Sequence, residues 1–288
     1  MSGMSVWARP KAKRVVMIAL DGISTSGFEK AATPNLDMLL QQGALSMHTR
    51  VVMPSVTLPN WTSHLTGSGP EQHGVVDNSW KSDKIKFPAQ VTDPDGYYPS
   101  VFQAMKEAIP SCKTAFYYNW INLFYPYNEQ YLDEVSYLKD DAYILNYEKA
   151  FDFIVANQKL PTLVFLYSVH TDHAGHNSKW MSSPYIRSIE EADNQIGIFL
   201  DKLKKEKLFE ETHFMFLSDH GGVEYGHGGV TEEEMIVPWG IKGPGIKQGY
   251  RIEEPNNTVN TAATILYLFN VKKIPLSWTG KVPYSIFK

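Results

Sequence analysis

Apolar residues along this chain fall into short uninterrupted runs separated by longer amphipathic stretches. Residues 15–20, Val-Val-Met-Ile-Ala-Leu, read as a strand covered on both faces, because a half-exposed strand would alternate. Residues 163–167 and 214–217 read the same way, with a shorter run at 235–237. Helical patterning occupies 98–108, 141–157, 183–205 and 259–269. Thr33-Pro34 offers an N-cap followed by proline at the first helical position, opening a helix through Leu36, Met38, Leu39 and Leu40 that stops at Gly43. Strands alternating with helices predict a mainly parallel sheet with helices on both sides. No repeat, low-complexity tract or Gly/Ser linker interrupts the pattern, so a single domain over residues 1–288 is expected.

One stretch breaks the rhythm. Residues 97–147 crowd aromatic side chains together, among them Phe116, Tyr118, Trp120, Phe124 and Tyr125. Core packing accounts for most such rings. The sharper expectation is a cap or rim beside an active site, with at least one of Tyr118, Trp120 and Tyr125 lining the pocket and facing an organic group.

Composition narrows the classes. Hydrophobic residues make up 43% and charged residues 20%, which excludes a disordered chain. A net charge of −4 gives no support for a nucleic-acid duplex or an anionic membrane as partner. A single cysteine, Cys112, excludes an internal disulfide and any zinc site with two thiolates from this chain. The apolar run at 15–20 is too short for a membrane span or a signal-peptide core, so a soluble chain without a visible leader is expected. Oligomeric state and compartment stay open at this level.

The chemistry lies where the buried strands end. The first runs into Asp21-Gly22. The second is followed by residues 170–176, His-Thr-Asp-His-Ala-Gly-His. The third is followed by residues 218–222, Ser-Asp-His-Gly-Gly, with His227 seven positions after His220. In an open parallel sheet such loops converge at the carboxyl edge. Three carboxylates and three imidazoles gathered there would repel or lack solvation unless a cation sat among them. Six oxygen and nitrogen donors suit Zn²⁺ or a similar ion and are too many for one tetrahedral metal, so two divalent metals are expected. Pro59 fits the first turn of a further helix reaching Leu65 and ending at Gly67, which sets Thr57 at its N-terminus, where an anion is favoured. A hydroxyl there, held by a divalent ion, becomes a nucleophile.

These blocks resemble the alkaline phosphatase superfamily, and most closely its type I phosphodiesterase/nucleotide pyrophosphatase branch. The blocks that carry the resemblance are residues 19–22, 54–67, 71–78, 171–176 and 218–221, in that order. The resemblance implies an α/β/α sandwich with a mixed, mainly parallel central sheet. It assigns Asp172, His176 and His227 to one zinc, and Asp21, Thr57, Asp219 and His220 to the other. Thr57 is then the nucleophile of a two-step reaction through a phospho-threonine, and Asn78 donates to a non-bridging phosphate oxygen. In the larger phosphodiesterases the third histidine follows a long insertion, so His213 and His173 are the competitors of His227.

A small-molecule phosphate ester, nucleotide-like in the family, is the implied substrate. An enzyme for monoesters usually sets an arginine against the extra charge, and no arginine lies in any of the blocks, which favours a diester. Leu58 cannot stack on a base as the aromatic residue of many nucleotide phosphodiesterases does. A sulfatase and a cofactor-independent phosphoglycerate mutase are disfavoured by the threonine nucleophile. A phosphomonoesterase of the same superfamily, or a catalytically silent metal- or ligand-binding protein, would also carry these residues. Family members are often exported.

Overall fold

The computed structural model describes residues 11–139 and 141–288. The span expected for the single domain also takes in residues 1–10 and 140, which lie outside the described residues. The strands are β1 (Arg14–Leu20), β2 (Gly43–Arg50), β3 (Lys113–Tyr118), β4 (Glu134–Tyr137), β5 (Thr162–Ser168), β6 (Thr212–Leu217), β7 (Ile236–Lys242) and β8 (Tyr250–Arg251). The helices are α1 (Thr25–Lys30), α2 (Pro34–Gln41), α3 (Thr57–Thr66), α4 (Pro70–His73), α5 (Val101–Ala108), α6 (Tyr143–Ala156), α7 (His170–Ser178), α8 (Ser183–Lys205), α9 (Glu232–Met235) and α10 (Asn260–Leu268).

All eight strands form one sheet in the order β4-β3-β5-β1-β6-β7-β2-β8. β7 runs antiparallel to both of its neighbours, and every other adjacent pair is parallel. The uninterrupted apolar run of β1 is explained by its central position. Val15, Met17 and Ala19 enter the core on one face with Trp61 and Leu65 of α3, Phe102 of α5 and Ile265 of α10. Val16, Ile18 and Leu20 enter the other with Phe28 of α1, Leu36 of α2, Ile154 of α6 and Ile189 of α8. The fold is therefore an α/β/α sandwich about a mixed, mainly parallel sheet.

Several local expectations are amended. β2, β3, β4 and β8 went unread as strands in the sequence, although β3 carries a buried run from Ala115 to Tyr118. Met235 ends α9, so the seventh strand starts at Ile236 and is longer than expected. Thr33 does stand at the N-cap of α2, but its hydroxyl donates to the Asp37 carboxylate (3.1 Å) instead of accepting from the helix start. The aromatic-rich stretch supplies β3 and β4 themselves. Phe116 and Tyr118 are core residues, and the Tyr118 ring stacks on Phe124 at 5.6 Å.

Candidate metal centre and nucleophile

β5, β1 and β6 are neighbours in the middle of the sheet and all point the same way. Their carboxyl ends therefore deliver Asp21, the 170–176 segment and Asp219-His220 to one edge. The segment after β5 was expected as a loop and is the short helix α7, which sets Asp172 and His176 one turn apart. Gly22 makes the close approach possible. Its φ is +73°, and a Cβ there would lie 3.0 Å from the Asp172 Cα. Its N–H donates to Asp219 Oδ1 (3.1 Å), which ties the first strand end to the third.

The side chains form two adjoining groups, Asp172 with His176 and His227, and Asp21 with Asp219 and His220. In the first, His176 Nε2 lies 3.5 Å from Asp172 Oδ2 and His227 Nε2 lies 3.6 Å from Asp172 Oδ1. In the second, His220 Nε2 lies 3.4 Å from Asp21 Oδ1 and 3.2 Å from Asp219 Oδ2. The groups touch through stacked imidazoles, with His220 and His227 centroids 3.7 Å apart and rings inclined by 16°. His173 instead pairs with Asp141 (2.8 Å), and His213 contacts the Pro244 carbonyl at the far end of β6. Neither belongs to a donor group.

Each clustered imidazole is oriented by a backbone carbonyl. Nδ1 of His176 lies 2.8 Å from Tyr225 O, that of His220 2.8 Å from Gly221 O, and that of His227 3.0 Å from Ser55 O. A carbonyl only accepts, so Nδ1 carries the proton and each neutral ring turns its Nε2 lone pair toward the carboxylates. Asp21 Oδ1, Asp172 Oδ1 and Asp219 Oδ2 are buried with no donor among the described residues. Lone pairs facing unpartnered carboxylate oxygens are stable only with a cation between them. The residues therefore fit divalent ions.

The electrostatics agree. Burial, and then the neighbouring Asp172 carboxylate, holds Asp21 well above the usual carboxylate range. Burial, and then Asp21, does the same to Asp219. Burial pushes Asp172 up to about 7. Burial, reinforced by His227, drives His220 well below its ordinary value, and burial takes His227 to about 4. The protein by itself disfavours the charged forms of Asp21, Asp172, Asp219, His220 and His227, as a site built around added positive charge would.

α3 brings the hydroxyl. Thr57 is its first residue, and Val56 is the N-cap. Thr57 Oγ1 lies 3.1 Å from His220 Nε2. Asn60, three residues on, anchors the incoming chain. Its Oδ1 accepts from Val52 N (2.8 Å), and its Nδ2 donates to Pro54 O and Val56 O, each at 3.1 Å. Ser55 links this segment to the last histidine by accepting from His227 and donating to Gly229 O (2.7 Å). Asn78 lies across the start of α3, its Oδ1 accepting from Leu58 N (2.7 Å). Asn122 Nδ2 in turn donates to Asn78 O (3.0 Å). Nearby a cleft of about 320 Å³ is lined by Lys81, Tyr97, Phe124, Tyr125, Tyr127 and Glu129. Lys81 Nζ sits 5.2 Å over the Tyr125 ring. Leu58 is completely buried.

Residues 15–236 match the family model described as type I phosphodiesterase / nucleotide pyrophosphatase. The chain belongs to this family. It is 25% identical over 223 residues to ectonucleotide pyrophosphatase/phosphodiesterase family member 3 of Mus musculus, covering 72% of this chain and 24% of that protein. It is 24% identical over 223 residues to venom phosphodiesterase 2 of Crotalus adamanteus, covering 72% and 26%. The chain thus spans about a quarter of the length of these curated relatives. Among solved structures, murine ectonucleotide pyrophosphatase/phosphodiesterase 5, an inactive variant in complex with AMP, superposes with a TM-score of 0.81 at 14% identity. That match covers 96% of this chain and all of the other, so the two share the fold.

Asn60, Ser55, Trp61 and Tyr167 went unread in the sequence. Tyr167 looks like any strand aromatic and Asn60 like any helix-surface amide. The visible signals were the strand-end segments and the proline-marked helix start at Thr57.

Proposed function

We propose that this chain hydrolyses phosphate diesters with two divalent metal ions, zinc by preference, and a covalent phospho-threonine. The observation that carries the reading is the Thr57 hydroxyl at 3.1 Å from His220, one of six side chains in two adjoining donor groups. Asp172, His176 and His227 would hold one ion. Asp21, Thr57, Asp219 and His220 would hold the other. Bound there, a metal pair supplies Lewis acidity to hydroxyl and phosphoryl oxygens at near-neutral pH.

Thr57 Oγ1 attacks phosphorus. The new Oγ1–P bond forms as the bond to the departing alcohol breaks, and that alcohol takes a proton as the threonine loses one. Water then attacks the phospho-threonine, freeing Thr57 and releasing the monoester. Asn78, whose carbonyl oxygen is committed to Leu58, has its amide N–H₂ to offer a non-bridging oxygen. Leu58 N–H is taken and Pro59 has none, which leaves the Thr57 N–H at the helix start for the same purpose.

Diester preference rests on charge. Among the described residues, Arg14 is buried at the opposite end of β1, and Arg50, Arg187 and Arg251 lie outside the site-bearing segments. The organic group is assigned to the rim beside Asn78, where Tyr125 presents a ring and Lys81 a cation. A nucleoside phosphate is one candidate, as AMP is held by the murine relative. The buried Leu58 takes no part, so any stacking falls to the rim.

The test is a panel of bis-aryl phosphate, aryl monophosphate, aryl sulfate and dinucleotide substrates on metal-quantified protein, with rapid quenching for phospho-threonine. Diester turnover with a covalent burst is expected. A monoester preference of roughly a hundredfold would reverse the class, and a protein that binds metal without forming the adduct would be a binding module.

A further inference from the structure

Asp21 divides its two oxygens sharply. Oδ1 is the atom facing His220, buried and without a donor. Oδ2 is occupied from two sides within the protein. The Tyr167 hydroxyl donates to it in a short hydrogen bond, and Trp61 Nε1 donates from 3.4 Å. Tyr167 and Trp61 are fully buried and pack edge to face, with centroids 5.6 Å apart and an interplanar angle of 89°. Phe165 packs against both rings, 5.5 Å from Trp61 and 6.3 Å from Tyr167. The phenol therefore has one place to point.

Asp219 is held through a backbone N–H, which no side-chain substitution removes. Asp21 depends on side chains for its orientation. Trp61 sits on α3 one turn beyond Thr57, so the carboxylate is tied to the helix that carries the nucleophile.

We infer that Tyr167 is a positioning residue that commits Asp21 Oδ2 to the protein and thereby turns Oδ1 toward the metal, with Trp61 registering α3 on the same oxygen. The inference rests on the two-metal reading above. A ligand whose outer hydrogen bond is deleted rotates or protonates, and loss of such a partner costs about 10–100-fold in metal affinity. Tyr167→Phe removes the hydroxyl and keeps the ring, so the aromatic packing remains.

The experiment is zinc titration of chelator-stripped wild type, Tyr167→Phe, Trp61→Phe and Tyr127→Phe, read by competition with a chromophoric chelator. Wild type is expected to take up two equivalents. Tyr167→Phe is expected to bind one of them about 10–100-fold more weakly, with the other unchanged. Trp61→Phe, which removes the longer bond to the same oxygen, is expected to weaken that equivalent by a smaller factor. Tyr127→Phe deletes another buried phenol that makes no contact with Asp21, and is expected to match wild type. Unchanged affinity in Tyr167→Phe overturns the inference. So does equal loss in Tyr127→Phe, which would mark a general effect of core hydroxyls. Wild type binding no zinc would overturn this inference and the metal reading together, whereas two equivalents bound without turnover would leave the role of Tyr167 standing and sink the catalytic proposal.

Discussion

Thr57 Oγ1 and His220 Nε2 lie 3.1 Å apart, although 163 positions separate them in the chain. One belongs to the first turn of α3 and the other follows β6, so their meeting is a product of how the helix lies across the sheet edge. Every chemical expectation for this protein turns on that contact.

Replacing Thr57 with alanine removes the proposed nucleophile and leaves the other six proposed donors in place. Diester turnover should fall by at least about a thousandfold, while two equivalents of metal remain bound. Serine at the same position should retain measurable activity. Metal analysis with steady-state rates checks both, and an active alanine variant would dismiss the covalent route.

In the proposed reaction Asn78 acts through its amide N–H₂. Asn78→Ala should lower kcat by about 10²–10³-fold with a much smaller change in KM, since the donor acts on charge that develops in the transition state. A change confined to KM would reassign the residue to ground-state binding.

Gly22 combines a φ of +73° with a Cβ position only 3.0 Å from the Asp172 backbone. Gly22→Ala should cost about 1–3 kcal/mol of stability in the metal-free protein and weaken zinc binding. Denaturant unfolding and a zinc titration measure the two effects, and a variant with wild-type behaviour in both would show that the contact relaxes freely.

Metal binding should release protons. Burial raises the Asp172 carboxyl to about 7, so near pH 6 the ion must displace a proton from it. His227, pushed down to about 4, is already neutral there and gives up none. Affinity is therefore expected to fall as pH drops from about 7 toward 5, by up to about tenfold per pH unit for that group. Calorimetry in buffers of different ionisation enthalpy counts the protons, and a count of zero at pH 6 would contradict the burial argument.

Away from the centre, burial holds His64, His170 and His213 at about 4 and His73 at about 3. An unfolded chain protonates such groups near 6.5, and the fold refuses the proton. Their stabilisation is thus complete above about 6.5 and lost as pH falls toward 4, with a limiting slope of about 1.4 kcal/mol per pH unit for each. His213 lies at the end of β6 remote from the candidate metal centre, so His213→Gln isolates one of them. Its acid-unfolding slope should be shallower than wild type by about one proton, and an identical slope would place the acid sensitivity elsewhere.

The layered architecture was legible because a central parallel strand must be apolar on both faces, and β1, β5 and β6 announce themselves that way. β2, β3, β4 and β8 did not, since short or lateral strands owe their state to a neighbour's hydrogen bonds more than to their own pattern. The aromatic-rich stretch illustrates the difference. Its rings read equally as rim or core, and pairing in the sheet sent Phe116 and Tyr118 inward while leaving Tyr125 beside Lys81.

Sequence by itself determined the central strands and the longer helices, the carboxylates and imidazoles that follow the three central strands, and the proline-marked helix led by Thr57. Those features are local: burial pattern, helix-start chemistry and the direction of a parallel strand all act over a few residues. The tertiary structure decided between His227 and its competitors, because packing turns His173 to Asp141 and leaves His213 at the far end of β6. It alone decided that Tyr167 and Trp61 hold Asp21 and that Ser55 holds His227, since those contacts depend on side-chain directions set by packing across the sheet.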